Sequence, residues 1–328
     1  MNYSEHYNKI TANFPKLDLI KESEFDLFKN FEFAKEIINL CIQLCENASE
    51  KLNIHIHFGI LYNFTFNASA TVENNSAVIT FNLGLIDKLE TLVSNSVEIF
   101  MKEIITIMTV QIDKNDNFKT IAKSFCITYL FYHELAHIIQ LFKVKGNAKF
   151  TLQEQNSKEK HFNIKNHIYE FDADLFGSGM SSKHLLEKII NSNSQFETIM
   201  LFNNMTLLFF TIANIIIEFN GNSIQSIYYK ENSHPHPLIR ILKCFGQISS
   251  SLNQNLNFPN ELLEATLERT RNMISQISYS DGRKVNFQEL YSVNFDGISK
   301  YNDEIEELNN DYNELVRHKS QEILNALN

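Results

Sequence analysis

The feature that most constrains the fold is a helical segment that is apolar on nearly every side and yet contains His133, Glu134 and His137. Apolar residues precede this trio at residues 127–130 and follow it at residues 138–142. A helix without a polar face must be enclosed by other elements, so the segment predicts a central, buried helix. Three polar side chains in such a helix are costly to bury unless something binds them.

The spacing of the two histidines indicates which kind of partner binds these buried polar side chains. Side chains four residues apart project from the same face of a helix, so His133 and His137 can occupy two corners of a tetrahedral zinc site. Glu134 lies one residue along and can accept a proton from an attacking water. The alternative is a pair of core histidines with a surface glutamate, which buries three polar groups without a partner. We therefore expect a metal.

A second polar cluster in an apolar frame follows at residues 169–177. Its acidic residues Glu170 and Asp174 are four apart and share a helix face. Glu170 can supply a third metal ligand, and Asp174 can accept a hydrogen bond from the far nitrogen of a ligating histidine, whereas Asp172 points elsewhere. Taken alone, the cluster would more often be a solvated acidic patch.

The third informative segment, residues 233–240, contains His234, His236 and Arg240. Its prolines, Pro235 and Pro237, exclude helix through His236 and favour a helix that begins near Pro237. A stiff, extended corner suits a positioned hydrogen-bond donor. The alternative is a loop with incidental histidines, and the sequence alone leaves the choice between His234 and His236 open.

Together the three segments resemble the signature of gluzincin metallopeptidases, which include heat-shock and CAAX-processing endopeptidases. The matching residues are His133-Glu134-x-x-His137, Glu170-x-x-Ala173-Asp174 and His234-Pro235 followed, after four intervening residues, by Arg240. The resemblance implies that His133, His137 and Glu170 bind Zn²⁺, that Glu134 is the general base, and that Asp174 lies behind a ligand. It also places His234 and Arg240 near the substrate oxyanion.

The chain lacks the multiple membrane spans of that group and in size and charge is similar to the Lit-type phage-exclusion peptidases, whose described target is elongation factor Tu. The resemblance implies a zinc-dependent endopeptidase that cuts a cytoplasmic protein in phage defence or cell shutdown. A regulatory protease that cleaves a repressor-like partner and a non-catalytic zinc-stabilised scaffold are the alternatives. The resemblance further implies that the peptide substrate binds along an exposed sheet edge, for which residues 78–81 are the candidate.

The composition limits which classes of binding partner and which cellular location we expect. The formal charge of −10 gives no general attraction to nucleic acid or anionic lipid. Four cysteines form no disulfide framework in 328 residues, and the first residues lack an export pattern, so we expect a cytoplasmic protein. We interpret Cys41 and Cys45 as buried hydrophobes, and His55 and His57 as histidines on a sheet surface. Residues 199–217 are apolar enough for a membrane span, but their polar side chains favour a core helix and leave membrane contact open.

The hydrophobic periodicity predicts an α+β, mainly helical protein with a small N-terminal sheet. The resemblance implies that this is a gluzincin fold, in which the sheet packs on the active-site helix. We expect one metallopeptidase unit over residues 1–328, with an N-terminal lobe (1–114), a zinc-binding core (115–250) and a helical C-terminal part (251–328). The predicted elements are helices at 25–50, 87–110, 118–145, 261–278 and 299–327, a hairpin of strands at 54–66 and 76–82, and a polar loop or lid at 147–165.

Overall fold

The computed structural model describes residues 1–73, 75–107, 115–144, 150–153, 162–191, 198–220, 227–256, 259–277, 286–309 and 315–316. The protein is mainly helical with a small mixed sheet, as predicted. The helices are α1 (Tyr3–Asn13), α2 (Phe31–Leu52), α3 (Leu83–Ile107), α4 (Asn115–Val144), α5 (Ile164–Asn191), α6 (Thr198–Phe219), α7 (Pro237–Leu256), α8 (Asn260–Ile274) and α9 (Phe287–Asn309), with a 3-10 helix at Glu22–Leu27. The strands are β1 (His55–Leu61), β2 (Ala68–Glu73), β3 (Ser76–Asn82) and β4 (Phe150–Gln153).

Helix α4 is the centre of the molecule. It packs against α2, α3, α5 and α6 and against strands β2 and β3, which explains why its sequence is apolar on nearly every side. The main hydrophobic core is continuous and includes residues from Tyr3 to Val316. Both Cys41 and Cys45 are buried in it as free thiols, as expected of small hydrophobes.

The predicted hairpin of the runs 54–66 and 76–82 is wrong, because the antiparallel partner of the second run is a different strand. β3 forms its hairpin with β2, and β1 pairs with β3 in parallel. The chain leaves β1 at Leu61, and residues 62–67 cross over before β2 begins. The sequence does not predict β2, because the small residues of ASATVE have a weak strand propensity. The first five residues of this strand are nevertheless buried.

The sheet order β1-β3-β2-β4 corrects the predicted substrate edge. β3, which contains residues 78–81, lies inside the sheet, while β1 and β4 are the outer strands of the sheet that the described residues form. β1 is covered, because its outward amides donate to side chains of the flanking helices. These bonds run from Ile56 to Ser49 Oγ (3.0 Å), from Phe58 to His6 Nδ1 (3.2 Å) and from Ile60 to the Tyr3 hydroxyl (3.2 Å).

Within the predicted lid, residues 150–153 are strand β4, which pairs with β2, and helix α5 begins at Ile164. Residues 147–149 and 154–161 of that prediction lie outside the described part of the chain. The last predicted helix, 299–327, begins too late, because α9 covers Phe287–Asn309. Its predicted continuation to residue 327 falls almost wholly outside the described residues.

Helix α6 lies in the core. Among the described residues it is the one helix long and apolar enough to cross a membrane, and 83% of its most apolar window is buried inside the protein. Two of its polar residues form hydrogen bonds in the core: Asn214 donates to Ser96 Oγ (2.8 Å), and Asn203 accepts from Arg269 (3.1 Å).

Candidate metal centre

The two histidines of α4 converge as their spacing predicts. His133 and His137 are 1% and 2% exposed, and their Nε2 atoms lie 3.1 Å apart. Glu134, between them in sequence, is also buried. The elements packed around α4 therefore shield all three side chains from bulk solvent.

Helix α5 brings Glu170 to the same point. Its Oε2 is 3.7 Å from His133 Nε2 and its Oε1 is 3.6 Å from His137 Nε2. His133, His137 and Glu170 thus form a buried group whose ligand atoms all lie within 4.8 Å of one another and which could hold a metal ion.

Gly177 allows α4 and α5 to approach this closely. A Cβ at Gly177 would lie 2.9 Å from the carbonyl oxygen of Tyr129 and 3.2 Å from the amide nitrogen of His133. The absence of a side chain therefore sets the distance between the helix that carries Glu170 and the helix that carries the histidines.

The donor set fits a cation such as zinc. With metal–ligand bonds of about 2.0–2.1 Å, tetrahedral ligands lie roughly 3.3–3.4 Å apart, close to the separations in this group. The Nδ1 atoms of both histidines face oxygen atoms, at Asp174 (3.1 Å) and at Gln140 (2.8 Å). Protons on Nδ1 leave both Nε2 lone pairs directed at the Glu170 carboxylate, an arrangement that a bound cation stabilises.

Asp174 lies behind His133 and is completely buried. Its carboxylate accepts two hydrogen bonds from Arg240 (both 2.8 Å) and one from the Tyr129 hydroxyl (2.7 Å). Burial alone would raise the pKa of Asp174, but the Arg240 guanidinium and the hydrogen bonds from Arg240 and His133 lower it to about 2. Asp174 is therefore a carboxylate throughout the physiological pH range.

Arg240 lies beneath the group rather than at an open surface. It is 4% exposed, and its Nη2 is 3.4 Å from Glu170 Oε2 in addition to its two bonds to Asp174. This placement favours a supporting role, in which Arg240 holds the two carboxylates of α5. Its predicted contact with a substrate oxyanion stays a prediction.

The structure separates the two proline-linked histidines. His234 Nε2 lies 3.7 Å from Glu170 Oε1, and its side chain is 21% exposed, more than those of the ligand group. His236 is 1% exposed, accepts the Leu238 amide on Nδ1 (3.1 Å) at the start of α7, and packs on Tyr228. His234 is thus at the accessible side of the group, and His236 shapes the corner.

The loop that carries His234 is held by a residue that the sequence did not single out. His167, one turn before Glu170 in α5, donates from Nε2 to the carbonyl oxygen of Asn232 (2.8 Å) and accepts on Nδ1 from the hydroxyl of Tyr301 in α9. Burial lowers the pKa of His167 to about 4, which keeps it neutral. No local pattern revealed this, because the partners lie far apart in sequence.

No role for Gln140 is predicted from the sequence either, although the sequence contains a signal for one. It is a polar residue in the apolar run after His137, and it is completely buried. Its contacts with His137 and Asp172 reveal a second support behind the group.

Comparison with known proteins gives no relative: no family model, no curated protein and no solved structure matches the chain. The residues and their geometry are therefore the basis for a function.

Proposed function

We propose that this protein is a zinc-dependent endopeptidase of the gluzincin type, acting on a cytoplasmic protein. The observation that carries the proposal is the buried His133, His137 and Glu170 group, whose ligand atoms converge within 4.8 Å. The resemblance of the three motifs, in the same order along the chain, supports it.

The arrangement suits a catalytic metal better than a structural one. Structural zinc sites have four protein ligands, whereas catalytic sites have three and keep a position for water or substrate. Among the described residues the group has three members, and His234 is outside it. When bound there, zinc would polarise the substrate carbonyl and make water a better nucleophile at neutral pH.

The chain's own residues would move the protons. In this proposal the Glu134 carboxylate takes a proton from the attacking water and passes it to the leaving amine. His234 donates from Nε2 to the developing oxyanion, and Ser233 Oγ, 3.0 Å from His234 Nδ1, helps to orient the ring. Asp174 and Arg240 keep His133 and Glu170 in place.

Substrate binding is proposed at β4. An extended peptide can add to an open sheet edge through main-chain hydrogen bonds. β1 is covered by Tyr3, His6 and Ser49. Within the described part of the chain β4 is the other outer strand, and it pairs with β2, which packs on α4. The substrate is a protein or peptide, since a formal charge of −10 disfavours nucleic acid.

A role in phage defence or cell shutdown, as in the Lit-type peptidases, remains part of this proposal, and a regulatory protease differs from it in the substrate alone. The alternative that is not an enzyme is a zinc-stabilised scaffold. It uses the same ligands but gives no chemical role to Glu134.

The test compares zinc content and proteolysis in the parent and in Glu134→Gln, with His133→Ala as the control that removes a ligand. We expect one zinc per chain in the first two proteins and a large loss in the third, together with hydrolysis by the parent only. The parent and Glu134→Gln are expressed side by side, and new protein N-termini are identified by mass spectrometry. Cleavage sites seen only with the parent identify the substrate, whereas equal proteolysis by Glu134→Gln would contradict the proposal.

A further inference from the structure

The orientation of the Gln140 side chain is determined by its neighbours. Its Nε2 lies 3.1 Å from the carbonyl oxygen of Tyr169 and 2.8 Å from Asp172 Oδ2. A carbonyl oxygen can only accept a hydrogen bond, so the amide nitrogen of Gln140 must face it. The amide oxygen, Oε1, is thereby directed at His137 Nδ1, 2.8 Å away.

That orientation fixes the tautomer of His137. Because Oε1 of Gln140 can only accept, the proton of the His137 ring must be on Nδ1. The lone pair of the ring is then on Nε2, the atom that lies 3.6 Å from Glu170 Oε1. A neutral imidazole in water has no strong preference for carrying its proton on Nδ1. Gln140 therefore prepares His137 to be a ligand through Nε2.

Asp172 connects this pair to a distant part of the chain. The side chain is 2% exposed, and its Oδ2 accepts the Gln140 amide and the main-chain amide of Val316, each at 2.8 Å. Leu315 and Val316 are completely buried, so this short segment is docked in the core. The Val316 amide thus helps to hold the carboxylate that orients Gln140.

We propose that Gln140, Asp172 and the docked segment Leu315–Val316 form a positioning relay that holds His137 ready to bind the metal, so that undocking of the segment weakens metal binding. The relay rests on the metal site of the proposed function. It differs from the support behind His133, where Asp174 contacts the ligand directly. Each metal-binding histidine of α4 therefore has its own buried acceptor, and that of His137 depends on the C-terminal segment.

The first test reads the tautomer directly. Nitrogen-15 NMR of the metal-free protein, with the His137 signal assigned from a His137→Gln variant, distinguishes a proton on Nδ1 from one on Nε2. We expect Nδ1–H in the parent. Gln140→Met keeps the approximate volume and removes the acceptor, so we expect it to lose the preference for Nδ1–H.

The second test measures the affinity for Zn²⁺ by competition with a chromophoric chelator. Loss of an outer hydrogen-bond partner typically weakens zinc binding by about 10- to 100-fold, which is the change expected for Gln140→Met. Val316→Pro removes the amide donor, and Val316→Ala is its matched control, because it trims the side chain but keeps the N–H. We expect weaker zinc binding in Val316→Pro than in Val316→Ala. The preference of His137 for Nδ1–H should be reduced in the proline variant alone, because Asp172 then holds the Gln140 amide less firmly and the Tyr169 carbonyl oxygen is its remaining fixed acceptor.

The outcomes separate this inference from the proposed function. If the parent binds zinc and cleaves its substrate, but Gln140→Met and Val316→Pro retain the parental tautomer and affinity, the relay is refuted and the peptidase stands. If the tautomer depends on Gln140 and Val316 but the protein does not hydrolyse peptides, the relay stands and the peptidase falls. A Gln140→Met protein that fails to fold leaves the Val316 pair to decide.

Discussion

His133 and Asp174 face each other across the contact between α4 and α5, with His133 Nδ1 3.1 Å from Asp174 Oδ1. The same carboxylate binds Arg240 of α7 through two hydrogen bonds of 2.8 Å. One buried side chain therefore joins residues from all three sequence motifs. The candidate metal-binding group depends on this connection, because it fixes the ring of His133 and neutralises the charge of Arg240.

We expect Asp174→Asn to weaken zinc binding by about 10- to 100-fold, because the amide no longer favours the proton on His133 Nδ1. It should also lower the free energy of unfolding, by up to about 3–5 kcal/mol, since Arg240 loses its charge partner in the interior. Chelator competition and urea unfolding measure the two effects. In the double variant Asp174→Asn with Arg240→Met, stability should recover in part while zinc affinity stays low; full recovery of affinity would show that Asp174 acts only through Arg240.

Gly177→Ala should destabilise the protein by about 1–3 kcal/mol, because the new Cβ meets the main chain of α4 and overpacks the crossing. The separation of α4 and α5 would increase, so zinc binding should weaken as well. Gly246→Ala is the matched control: a Cβ there meets nothing within 4 Å, and alanine favours helix, so stability should rise by up to about 1 kcal/mol. Equal thermal unfolding of the two variants would argue against close packing at Gly177.

His234→Ala should lower kcat by about 10²- to 10³-fold and leave zinc content unchanged, because a donor to the oxyanion acts mainly in the transition state. His236→Asn serves as the comparison, since asparagine can still accept the Leu238 amide that His236 Nδ1 accepts now. We expect it to alter kcat little. Steady-state kinetics on one defined peptide decide, and the reverse ranking would transfer the role to His236.

How far the sequence predicts this site depends on how local its signals are. Apolar flanks and a four-residue spacing predict that α4 is buried and that His133 and His137 share a face, because helix geometry alone determines both. The same reasoning predicts the pairing of Glu170 with Asp174 on α5. A helix start at Pro237 follows from the fixed φ of proline, and α7 begins there.

The remainder depends on contacts between distant parts of the chain, which no local pattern encodes. Strand β1 pairs in parallel with β3 because of the crossover, whereas the closeness of the two runs along the chain favours a hairpin. The Val316 amide reaches Asp172 across a separation of 144 residues. His57, predicted to lie on a sheet surface, is buried beneath α1, because His6 packs edge-on against its ring at 5.4 Å.

The His6–His57 pair predicts a loss of stability in mild acid. Burial lowers the pKa of each to about 4, from an ordinary value near 6.5 in the unfolded chain. Between these values the unfolded chain binds more protons than the folded protein, so the free energy of unfolding falls as pH decreases from about 6.5 to about 4. Each histidine contributes a slope of up to about 1.4 kcal/mol per pH unit.

The variant that tests this pair is His6→Asn. Asparagine can still accept the Phe58 amide that His6 Nδ1 accepts at 3.2 Å, so the cover of β1 is kept while a titrating group is removed. Urea unfolding at pH 7.5, 6 and 5 should then show a shallower decline than in the parent, by about one proton's slope, with similar stability at pH 7.5. Parallel declines in the two proteins would mean that the acid sensitivity arises elsewhere, and a variant already destabilised at pH 7.5 would mean that the His6 ring matters for packing beyond its hydrogen bond.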